Sequence, residues 1–326
     1  MPREALVVLG CGWIARRHAA AARRIGLPLA FASRDLGRAR AYAREFGGIA
    51  AYGAYDEALR QPDIAGAIVC TPHDRHLADV LLALDCGKHV LVEKPIARTL
   101  EEADRMIGAA FGTGLGLMVA ENFRFMPAFR HVKAVLQENG IGRLRELHLV
   151  SRGFRLPSGW RGDAETTGGG ALIDGGIHYV HNLRWWGGPV RRVFALRPPQ
   201  TLTTMSAEDA VNLLAELPDG VVGYVSNSLA AAGLPRFQWS TVTGTEGTCF
   251  ADNRGRIVAV RGRGGLKARL FARDTRGHAA MLSAFRETMK TGKALEMDGA
   301  SGRADLAVVL AAYRSIAERR PVEVLC

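Results

Sequence analysis

In the first third of the chain, short apolar runs alternate with longer stretches in which apolar residues follow a helical spacing. Apolar runs of strand length occupy residues 5–9, 29–32, 49–52, 66–70 and 88–92. Short continuous apolar runs are typical of strands that are buried on both faces. Strands that alternate with helices usually pair in parallel. The pattern therefore predicts a doubly wound α/β domain at the start of the chain.

Beyond residue 122, strand-like segments follow one another more closely. They occupy residues 145–152, 190–197, 212–217, 221–229, 237–243 and 256–261. A chain of 326 residues exceeds the usual size of one domain, and its apolar content of 48% is enough for two cores. We expect one domain over residues 1–122 and a second over 123–326. A late helix, residues 304–319, is expected to pack back on the first domain.

Composition narrows the class of protein. The longest apolar runs fall short of the roughly 18 residues that a membrane span needs, and the N-terminus leads straight into a strand. We therefore expect no membrane contact and a cytoplasmic location. Five widely spaced cysteines, without a CxxC pair, predict neither disulfides nor a cysteine zinc site. The net charge of +11 comes from scattered arginines, which argues against nucleic acid but favours anionic ligands.

The first apolar run ends in a glycine-rich turn with the sequence Gly10-Cys11-Gly12-Trp13-Ile14-Ala15, and a helical stretch follows it. The first glycine permits a tight turn, the second lets the backbone approach a pyrophosphate, and the small alanine lets helix and strand pack closely. The amides at the helix N-terminus favour negative charge. A strand, this turn and a helix in sequence predict a dinucleotide site formed by residues 10–14.

The end of the second apolar run bears on the choice of dinucleotide. NAD-selective proteins commonly place an acidic residue here, whereas this chain has Ser33 and Arg34 before Asp35. Arg34 can pair with a 2′-phosphate, Ser33 can donate a hydrogen bond, and Arg38 can add a second phosphate contact. We therefore predict NADP(H) as the preferred cofactor. Asp35 keeps NAD(H) open, and a solvated Arg-Asp pair is the structural alternative.

A carboxylate and two imidazoles stand at helical spacing in the second half of the chain, at Asp174, His178 and His181. On one helix face they can hold a metal ion such as zinc, or they can move protons to and from an alcohol or carbonyl. Gly175 and Gly176 make a regular helix intrinsically poor at this point. The spacing alone leaves the metal and the acid-base interpretations open.

A lysine follows the fifth apolar run, in Glu93-Lys94-Pro95. Ligands of open parallel sheets lie at the carboxyl ends of the strands, so Lys94 can reach a cofactor and a substrate together. With this motif, the segments GCGWIA, TPHDRH, GKHVLVEKPIA and GGGALIDGGIHYVH resemble the Gfo/Idh/MocA family of glucose-fructose oxidoreductase and inositol dehydrogenase. The resemblance spans essentially the whole chain, and its discriminating parts are Glu93-Lys94-Pro95 and the DxxxH pair.

The resemblance implies an N-terminal Rossmann domain for a nicotinamide cofactor and a C-terminal α/β domain with an open, largely antiparallel sheet. That sheet is expected to form a homodimer or homotetramer. The family mostly oxidises or reduces sugars, cyclitols and their derivatives. The resemblance assigns Lys94 to the substrate oxygen and the nicotinamide edge, and Asp174 and His178 to the reacting carbon. It further implies cofactor contacts at Thr71, Pro72, His76 and Glu93. At Asn122 it implies a cofactor or substrate contact, and a cap at the domain junction is the open alternative.

The chemistry of these residues supports the same roles. Oxidation of an alcohol releases a hydride and a proton, and imidazole titrates close to neutral pH, so His178 is the predicted proton acceptor. Lys94 can stabilise a developing alkoxide, while Asp174 can orient His178 or bind a hydroxyl. Trp160 and Arg161 can line the sugar pocket, and a solvated loop arginine is the open alternative. No metal is expected, and His181 can be pocket wall, substrate contact or packing.

The leading hypothesis is therefore an NADP(H)-dependent oxidoreductase that acts on the secondary alcohol or ketone of a sugar, cyclitol or sugar derivative. Two alternatives stay open. One is an NAD(P)-assisted glycosidase or lyase that retains its cofactor. The other is a regulator that binds NADP(H) and a partner without turnover.

Overall fold

A computed structural model describes residues 5–233 and 237–325, and the chain divides into two compact units. The first unit contains residues up to 121 together with His278–Arg303. The second contains Asn122–Gly277 and the residues from 304 onwards, within the described ranges. The sequence-based division placed residues 278–303 in the second domain. They group with the first because Asp298 bridges Met118 beside a strand of that unit, whereas the segment 304–319 groups with the second.

The first unit is built on a six-stranded sheet in the order β3-β2-β1-β4-β5-β6, and every pairing in it is parallel. Its strands are β1 (Ala5–Leu9), β2 (Leu29–Ala32), β3 (Ala50–Tyr52), β4 (Ile64–Val69), β5 (His89–Val92) and β6 (Leu117–Val119). All residues of β1 and β2 are buried, as expected for strands covered on both faces. The predicted doubly wound Rossmann architecture is confirmed.

The second unit is built on a nine-stranded sheet in the order β14-β13-β12-β11-β7-β10-β9-β8-β15. Within this sheet, β7 and β10 are the only described strands that pair in parallel, so the sheet is largely antiparallel, as predicted. Its strands are β7 (Leu144–Arg152), β8 (Arg192–Leu196), β9 (Ala210–Glu216), β10 (Val222–Ser228), β11 (Phe237–Gly244), β12 (Thr248–Asp252), β13 (Ile257–Gly262), β14 (Gly265–Leu270) and β15 (Val322–Glu323).

The helices follow in chain order. They are α1 (Trp13–Arg24), α2 (Leu36–Phe46), α3 (Tyr55–Leu59), α4 (His76–Asp85), α5 (Leu100–Thr113), α6 (Pro127–Gln137), α7 (Ala164–Thr167), α8 (Ile177–Gly187), α9 (His278–Thr291) and α10 (Gly299–Glu318). Side-chain caps mark several starts, since Asp35 accepts from the amide of Arg38 and Thr99 from that of Glu102. None of the described helices is long and apolar enough to cross a membrane, and the cytoplasmic location stays a prediction.

The two faces of the nine-stranded sheet differ in burial. One register row is fully buried and consists of Ala195, Leu213, Val225, Leu149, Ser240, Ala251 and Val258. Helix α8 packs on strands β7 and β10, and α6 on β12 and β13. The neighbouring row is more accessible and consists of Phe194, Leu214, Tyr224, His148, Thr241, Phe250 and Ala259. The second unit therefore has one covered and one open sheet face.

Candidate active site

Strand register brings four sequence motifs of the first unit to one edge of the parallel sheet. Leu9 pairs with Ala32 on one side and with Val69 on the other, and Val69 pairs with Val92. These are the last or nearly the last residues of their strands. Gly10, Ser33, Cys70 and Glu93 come directly after them. Four turns therefore lie in one row at the carboxyl edge of the sheet. They are the glycine turn, the Ser33-Arg34-Asp35 turn, the Thr71 turn and the Glu93-Lys94-Pro95 turn.

The glycine turn has the geometry that a phosphate site needs. Gly10 has a φ of +92°, and a Cβ there would lie 3.1 Å from the Cys70 carbonyl oxygen. Gly12 is the N-cap of α1, and a Cβ built on it meets no described atom within 4 Å. The N-cap makes no side-chain hydrogen bond to the first turn of α1, whereas the amide of Ala15 donates to the Gly12 carbonyl oxygen at 3.1 Å. Open space thus coincides with a helix N-terminus that has no side-chain cap.

The three residues with side chains in the turn differ in accessibility. Trp13 is exposed, Ile14 is partly exposed, and Cys11 is buried with its Sγ 3.8 Å from the carbonyl oxygen of Ala32. Burial raises the pKa of the Cys11 thiol to about 11, so the group is neutral at physiological pH. Cys11 can therefore meet a phosphate only through its backbone.

At the end of β2, the carboxylate of Asp35 has a structural role as the N-cap of α2. Its Oδ1 accepts from the backbone amide of Arg38 at 3.1 Å, and its own amide donates to Ser33 Oγ at 3.2 Å. Its Oδ2 lies 4.0 Å from Arg38 Nε. Arg34 and Arg38 are exposed, while Ser33 is buried. The carboxylate that would keep NAD(H) open is thus engaged as a helix cap beside two exposed guanidinium groups.

The side chain of His76 contacts both the turn that follows β4 and the turn that follows β5. Its side chain is fully buried, with Nδ1 2.9 Å from the Pro95 carbonyl oxygen and Nε2 3.1 Å from the Thr71 carbonyl oxygen. Burial lowers the pKa of His76 despite these carbonyl contacts. The Thr71 hydroxyl donates to Asp79 at 2.7 Å, and Pro72 is partly exposed. Both ring nitrogens of His76 thus lie against backbone oxygens of the two turns, and its predicted cofactor contact stays a prediction.

Glu93 forms a buried pair with a histidine of α1. Its Oε1 lies 2.7 Å from His18 Nε2, and its Oε2 accepts from the backbone amide of Lys94 at 3.3 Å. Burial raises the pKa of Glu93, but the hydrogen bond and charge of His18 and the charges of Lys94 and His278 outweigh it and lower the pKa to about 2. The contact between Glu93 and His18 therefore connects helix α1, whose N-terminus is the candidate phosphate site, to the turn that contains Lys94. The side chain of Lys94 is partly exposed.

In the second unit, Asp174 and His178 lie where a π-helical turn becomes regular helix. Leu172–Gly176 is π-helical and Ile177–Gly187 continues as α8, so the predicted weakness of the glycine-containing start is realised as a wider turn. The imidazole of His178 stacks on Phe123, with ring centroids 4.5 Å apart and planes at 15°. Asn122, one residue earlier, donates from Nδ2 to the Arg276 carbonyl oxygen at 2.8 Å.

Three successive glycines let the chain enter this turn. A Cβ on Gly169 would lie 2.5 Å from the Tyr313 hydroxyl, and one on Gly170 would lie 2.0 Å from the Glu208 carbonyl oxygen. The Tyr313 hydroxyl accepts from the amides of Gly170 and Ile173 at 3.2 and 3.1 Å and donates to Glu208 at 3.0 Å. Glu208 in turn accepts from the amide of Leu172 at 2.9 Å. Tyr313 and Glu208 thus satisfy the helix-start amides and position Asp174.

Two arginines converge on one oxygen of Asp174. Arg155 donates to Oδ2 at 3.4 Å, and Arg161 Nε lies 3.6 Å from the same atom. The guanidinium of Arg161 lies over the ring of Trp160, 4.4 Å from its centroid. The predicted substrate residues Trp160, Arg161 and Asp174 are therefore neighbours. We call Arg155, Arg161 and Asp174 the arginine cluster.

His181 does not share the surroundings of Asp174 and His178. Its buried Nδ1 lies 2.9 Å from Asp305 Oδ2, and Arg184 donates to the other oxygen of Asp305. Trp185 stacks on its ring at 5.9 Å. No group of three histidine, cysteine or acidic residues within residues 5–233 and 237–325 is arranged to hold a metal ion. Of the three roles left open for His181, the structure supports packing, with the imidazole hydrogen-bonded to the buried carboxylate of Asp305.

Several residues of these arrangements escaped the sequence analysis. They are His18, Phe123, Arg155, Glu208 and Tyr313. His18 carries a weak local signal, since a histidine within an alanine-rich helix that packs on a sheet needs a polar partner. Tyr313 and Glu208 carry no local signal, because they meet the glycine run only through the fold.

Comparison with known proteins gives two family matches. Residues 5–121 match an oxidoreductase family described as having an NAD-binding Rossmann fold, GFO/IDH/MocA, and residues 129–250 match the GFO/IDH/MocA C-terminal domain. The chain is 33% identical over 225 residues to mouse trans-1,2-dihydrobenzene-1,2-diol dehydrogenase. That alignment covers 67% of this chain and 64% of the mouse protein, so this chain spans less than two thirds of its relative.

Solved structures share the fold over the whole chain. An NAD-binding oxidoreductase from Klebsiella pneumoniae matches 99% of this chain and 100% of its own, with a TM-score of 0.91 and 24% identity. A levoglucosan dehydrogenase in complex with NADH matches 98% of this chain and 99% of its own, with a TM-score of 0.91 and 22% identity. At these identities the likeness establishes the fold.

Proposed function

Because the chain belongs to the GFO/IDH/MocA oxidoreductase family, we propose that it is an NADP(H)-dependent oxidoreductase acting on the secondary alcohol or ketone of a sugar, cyclitol or sugar derivative. The observation that carries the proposal is the row of turns at the carboxyl edge of the parallel sheet. It places an uncapped helix N-terminus and Lys94 after strands whose last residues are in register. This is the position where open α/β sheets bind ligands.

The first unit fits a dinucleotide. The amides at the start of α1 would bind the pyrophosphate, in the space that a Cβ on Gly12 would enter. When bound, the nicotinamide ring supplies the hydride acceptor or donor. Lys94 would donate to the substrate oxygen and stabilise the negative charge that develops there during oxidation. Its partly exposed side chain allows such a contact.

The second unit supplies the proton chemistry. His178 is partly exposed and held flat against Phe123, so its ring has a defined plane for taking the hydroxyl proton. Asp174 is held by Arg155 and Arg161 and would bind a hydroxyl next to the reacting carbon. In the direction of reduction, His178 would return the proton to the carbonyl oxygen.

The preference for NADP(H) rests on the end of β2. Arg34 and Arg38 are exposed there, and the carboxylate of Asp35 is already used as the cap of α2. Two exposed guanidinium groups favour a 2′-phosphate, whereas a ribose diol requires an available acceptor. The preference for secondary alcohols also agrees with the mouse relative, whose name describes a dehydrogenase of a cyclic diol.

A homodimer or homotetramer is proposed through the open face of the nine-stranded sheet. Large apolar side chains on that sheet are exposed, namely Leu196, Leu214, Val222, Phe250 and Ile257. Large apolar side chains exposed on one sheet face often mark a protein–protein interface. Sedimentation equilibrium of the wild type and of Leu214→Glu/Phe250→Glu tests this, with a monomeric double variant expected and an unchanged mass as the contrary result.

The activity is tested by following nicotinamide absorbance with a panel of polyols, sugars and cyclitols. We expect stoichiometric cofactor conversion, with NADPH bound more tightly than NADH, and loss of conversion in Lys94→Ala. Lys293→Ala removes an exposed lysine of the same unit and should behave as wild type. Absence of nicotinamide binding would overturn the proposal. Product release without net cofactor change would assign the chain instead to the cofactor-retaining glycosidases or lyases.

A further inference from the structure

The arginine cluster carries more positive charge than its carboxylate balances. We propose that the substrate carries a carboxylate group and is a sugar acid, which Arg155 and Arg161 bind beside Asp174. This inference rests on the proposed function, because it names the class of substrate for the same site. It makes Arg155 a specificity-determining residue.

The contacts inside the cluster leave the arginines able to bind a further anion. Charge-assisted hydrogen bonds are typically about 2.7–2.9 Å long. The contacts from Arg155 and Arg161 to Asp174 Oδ2 measure 3.4 and 3.6 Å, so this carboxylate oxygen saturates neither guanidinium. Each guanidinium offers five N–H groups. The side chains are 46% and 29% exposed, so a ligand can reach them from solvent.

A charge count distinguishes between classes of ligand. Two guanidinium groups and one carboxylate leave a net charge of +1 in the cluster, and Asp174 itself is buried. A carboxylate ligand with charge −1 balances it. A neutral polyol leaves the positive charge uncompensated. A phosphate monoester, at about −1.5 to −2 near pH 7, overshoots it.

The backbone around both arginines is held in place before any ligand binds. The amide of Arg155 donates to the Leu229 carbonyl oxygen at 2.9 Å. Gly162, next to Arg161, accepts from the amide of Ser206 at 2.9 Å, and a Cβ on it would lie 2.5 Å from the Thr204 carbonyl oxygen. Binding therefore requires little ordering of these loops, which preserves affinity.

Trp160 completes the arrangement with an aromatic surface. The guanidinium carbon of Arg161 lies 4.4 Å from the centroid of the Trp160 ring, a cation–π contact that limits the motion of this side chain. A flat indole next to a fixed guanidinium suits a ligand with one charged end and a chain or ring of C–H and O–H groups. Sugar acids have this combination.

The test compares matched ligands that differ only in charge. Gluconate and sorbitol share a six-carbon polyhydroxyl chain, and glucuronate and glucose form the corresponding ring pair. Binding to the protein saturated with NADPH is measured by isothermal titration calorimetry. We expect the acid of at least one pair to bind at least tenfold more tightly than its neutral partner. Arg155→Gln and Arg161→Gln should each remove most of that ratio.

Arg192→Gln is the matched control, because Arg192 is similarly exposed and lies in the same unit, paired with Glu216. It should keep the full acid-to-neutral ratio. Sorbitol 6-phosphate, as the phosphate counterpart of gluconate, should bind less tightly than gluconate. Melting curves of each variant establish that it is folded.

Equal affinity for acid and neutral partners in both pairs, or a ratio that survives in both arginine variants, overturns the proposal. Tighter binding of sorbitol 6-phosphate than of gluconate also overturns it, in favour of a phosphate ligand. The readout is independent of turnover. Selective binding of acids without cofactor conversion would contradict the proposed function and support the anion site. Oxidation of neutral polyols without any preference for acids would support the proposed function and contradict the anion site.

Discussion

The two units present their site residues in different ways. In the first, strand register and a glycine turn bring backbone amides and Lys94 to one sheet edge. In the second, charged side chains gather around Asp174 on an irregular helix start that Tyr313 holds from 140 positions away. Backbone contacts tolerate many side-chain changes, whereas the second arrangement depends on a few distant residues. Substrate preference should therefore change more easily in sequence than cofactor binding.

The largest effect is expected from removing the proposed proton acceptor of the second unit. His178→Asn should lower turnover by roughly 10²–10⁴-fold, which is what a positioned acid-base group contributes. NADPH affinity, measured by tryptophan fluorescence, should stay unchanged because the proposed phosphate contacts are backbone amides of the first unit. His148→Asn, on the open sheet face, is the control and should keep wild-type turnover. Loss of cofactor affinity in His178→Asn would contradict this separation.

Each unit also buries one histidine against a carboxylate, and these pairs allow a direct comparison. His18→Leu removes the histidine partner of Glu93, and His181→Leu removes that of Asp305. Removing one partner of a buried charge usually lowers the free energy of unfolding by about 3–5 kcal/mol, and we expect this loss for His18→Leu. Urea denaturation measures it. Arg184 still pairs with Asp305, so His181→Leu should cost less than His18→Leu.

The double variant His18→Leu/Glu93→Leu checks this interpretation, since removing both charges should restore part of the lost stability. Measurements of turnover then distinguish the role of the His18–Glu93 pair from that of the His181–Asp305 pair. His18→Leu should also impair catalysis at temperatures where it is folded, because Glu93 precedes Lys94, while His181→Leu should not. Equal turnover in both variants would show that the His18 pair only stabilises the fold.

The Glu93 pair predicts a smaller effect that depends on pH. The pKa of this carboxyl is lowered from 4.5 to about 2 in the folded chain. A depressed carboxyl pKa stabilises the fold fully above pH 4.5, and the stabilisation is lost as the pH falls towards 2. The loss should be on the order of 3 kcal/mol. Unfolding of wild type and Glu93→Gln between pH 6 and 2.5 tests this, with a flatter profile expected for the variant.

The smallest effect is expected at the cofactor selectivity position. Arg34→Ser removes one charge-assisted contact to a 2′-phosphate, which is worth about 1.5–3 kcal/mol. NADPH should therefore bind roughly 10- to 150-fold more weakly, while NADH affinity stays constant. Arg40→Ser, on the exposed side of α2, is the control. Parallel losses for NADPH and NADH would indicate that Arg34 does not read the 2′ position.

Five of the six strands of the first unit could be predicted because their signals are local, whereas the three-residue strand β6 was missed. Apolar runs, the glycine turn and the motif after β5 determine strand, turn and helix within a few residues each. The join between residues 278–303 and this unit could not be predicted, because it depends on contacts such as Met118 with Asp298 that leave no periodic signal. Strand β14 was missed since all its residues are exposed, so no apolar alternation marks it.

In the second unit, the identities of the proposed site residues were predictable but their surroundings were not. Helical spacing, four residues and then three, placed Asp174, His178 and His181 on one predicted helix face. The π-helical turn and Asp305 separate them, and Asp305 lies 124 positions from His181. Arg155 escaped because a single arginine in a loop has no pattern, and only the fold brings it to Asp174.

The discontinuous first unit has a consequence for recombination between relatives. A crossover at residue 121 exchanges the six strands but leaves α9 and the start of α10 behind, and with them His278, whose ring meets that of His18 at 5.8 Å. Such a chimera would carry mismatched packing under its nucleotide turn. Exchange of cofactor preference between family members therefore calls for two simultaneous crossovers, near residues 277 and 303, in addition to the obvious one.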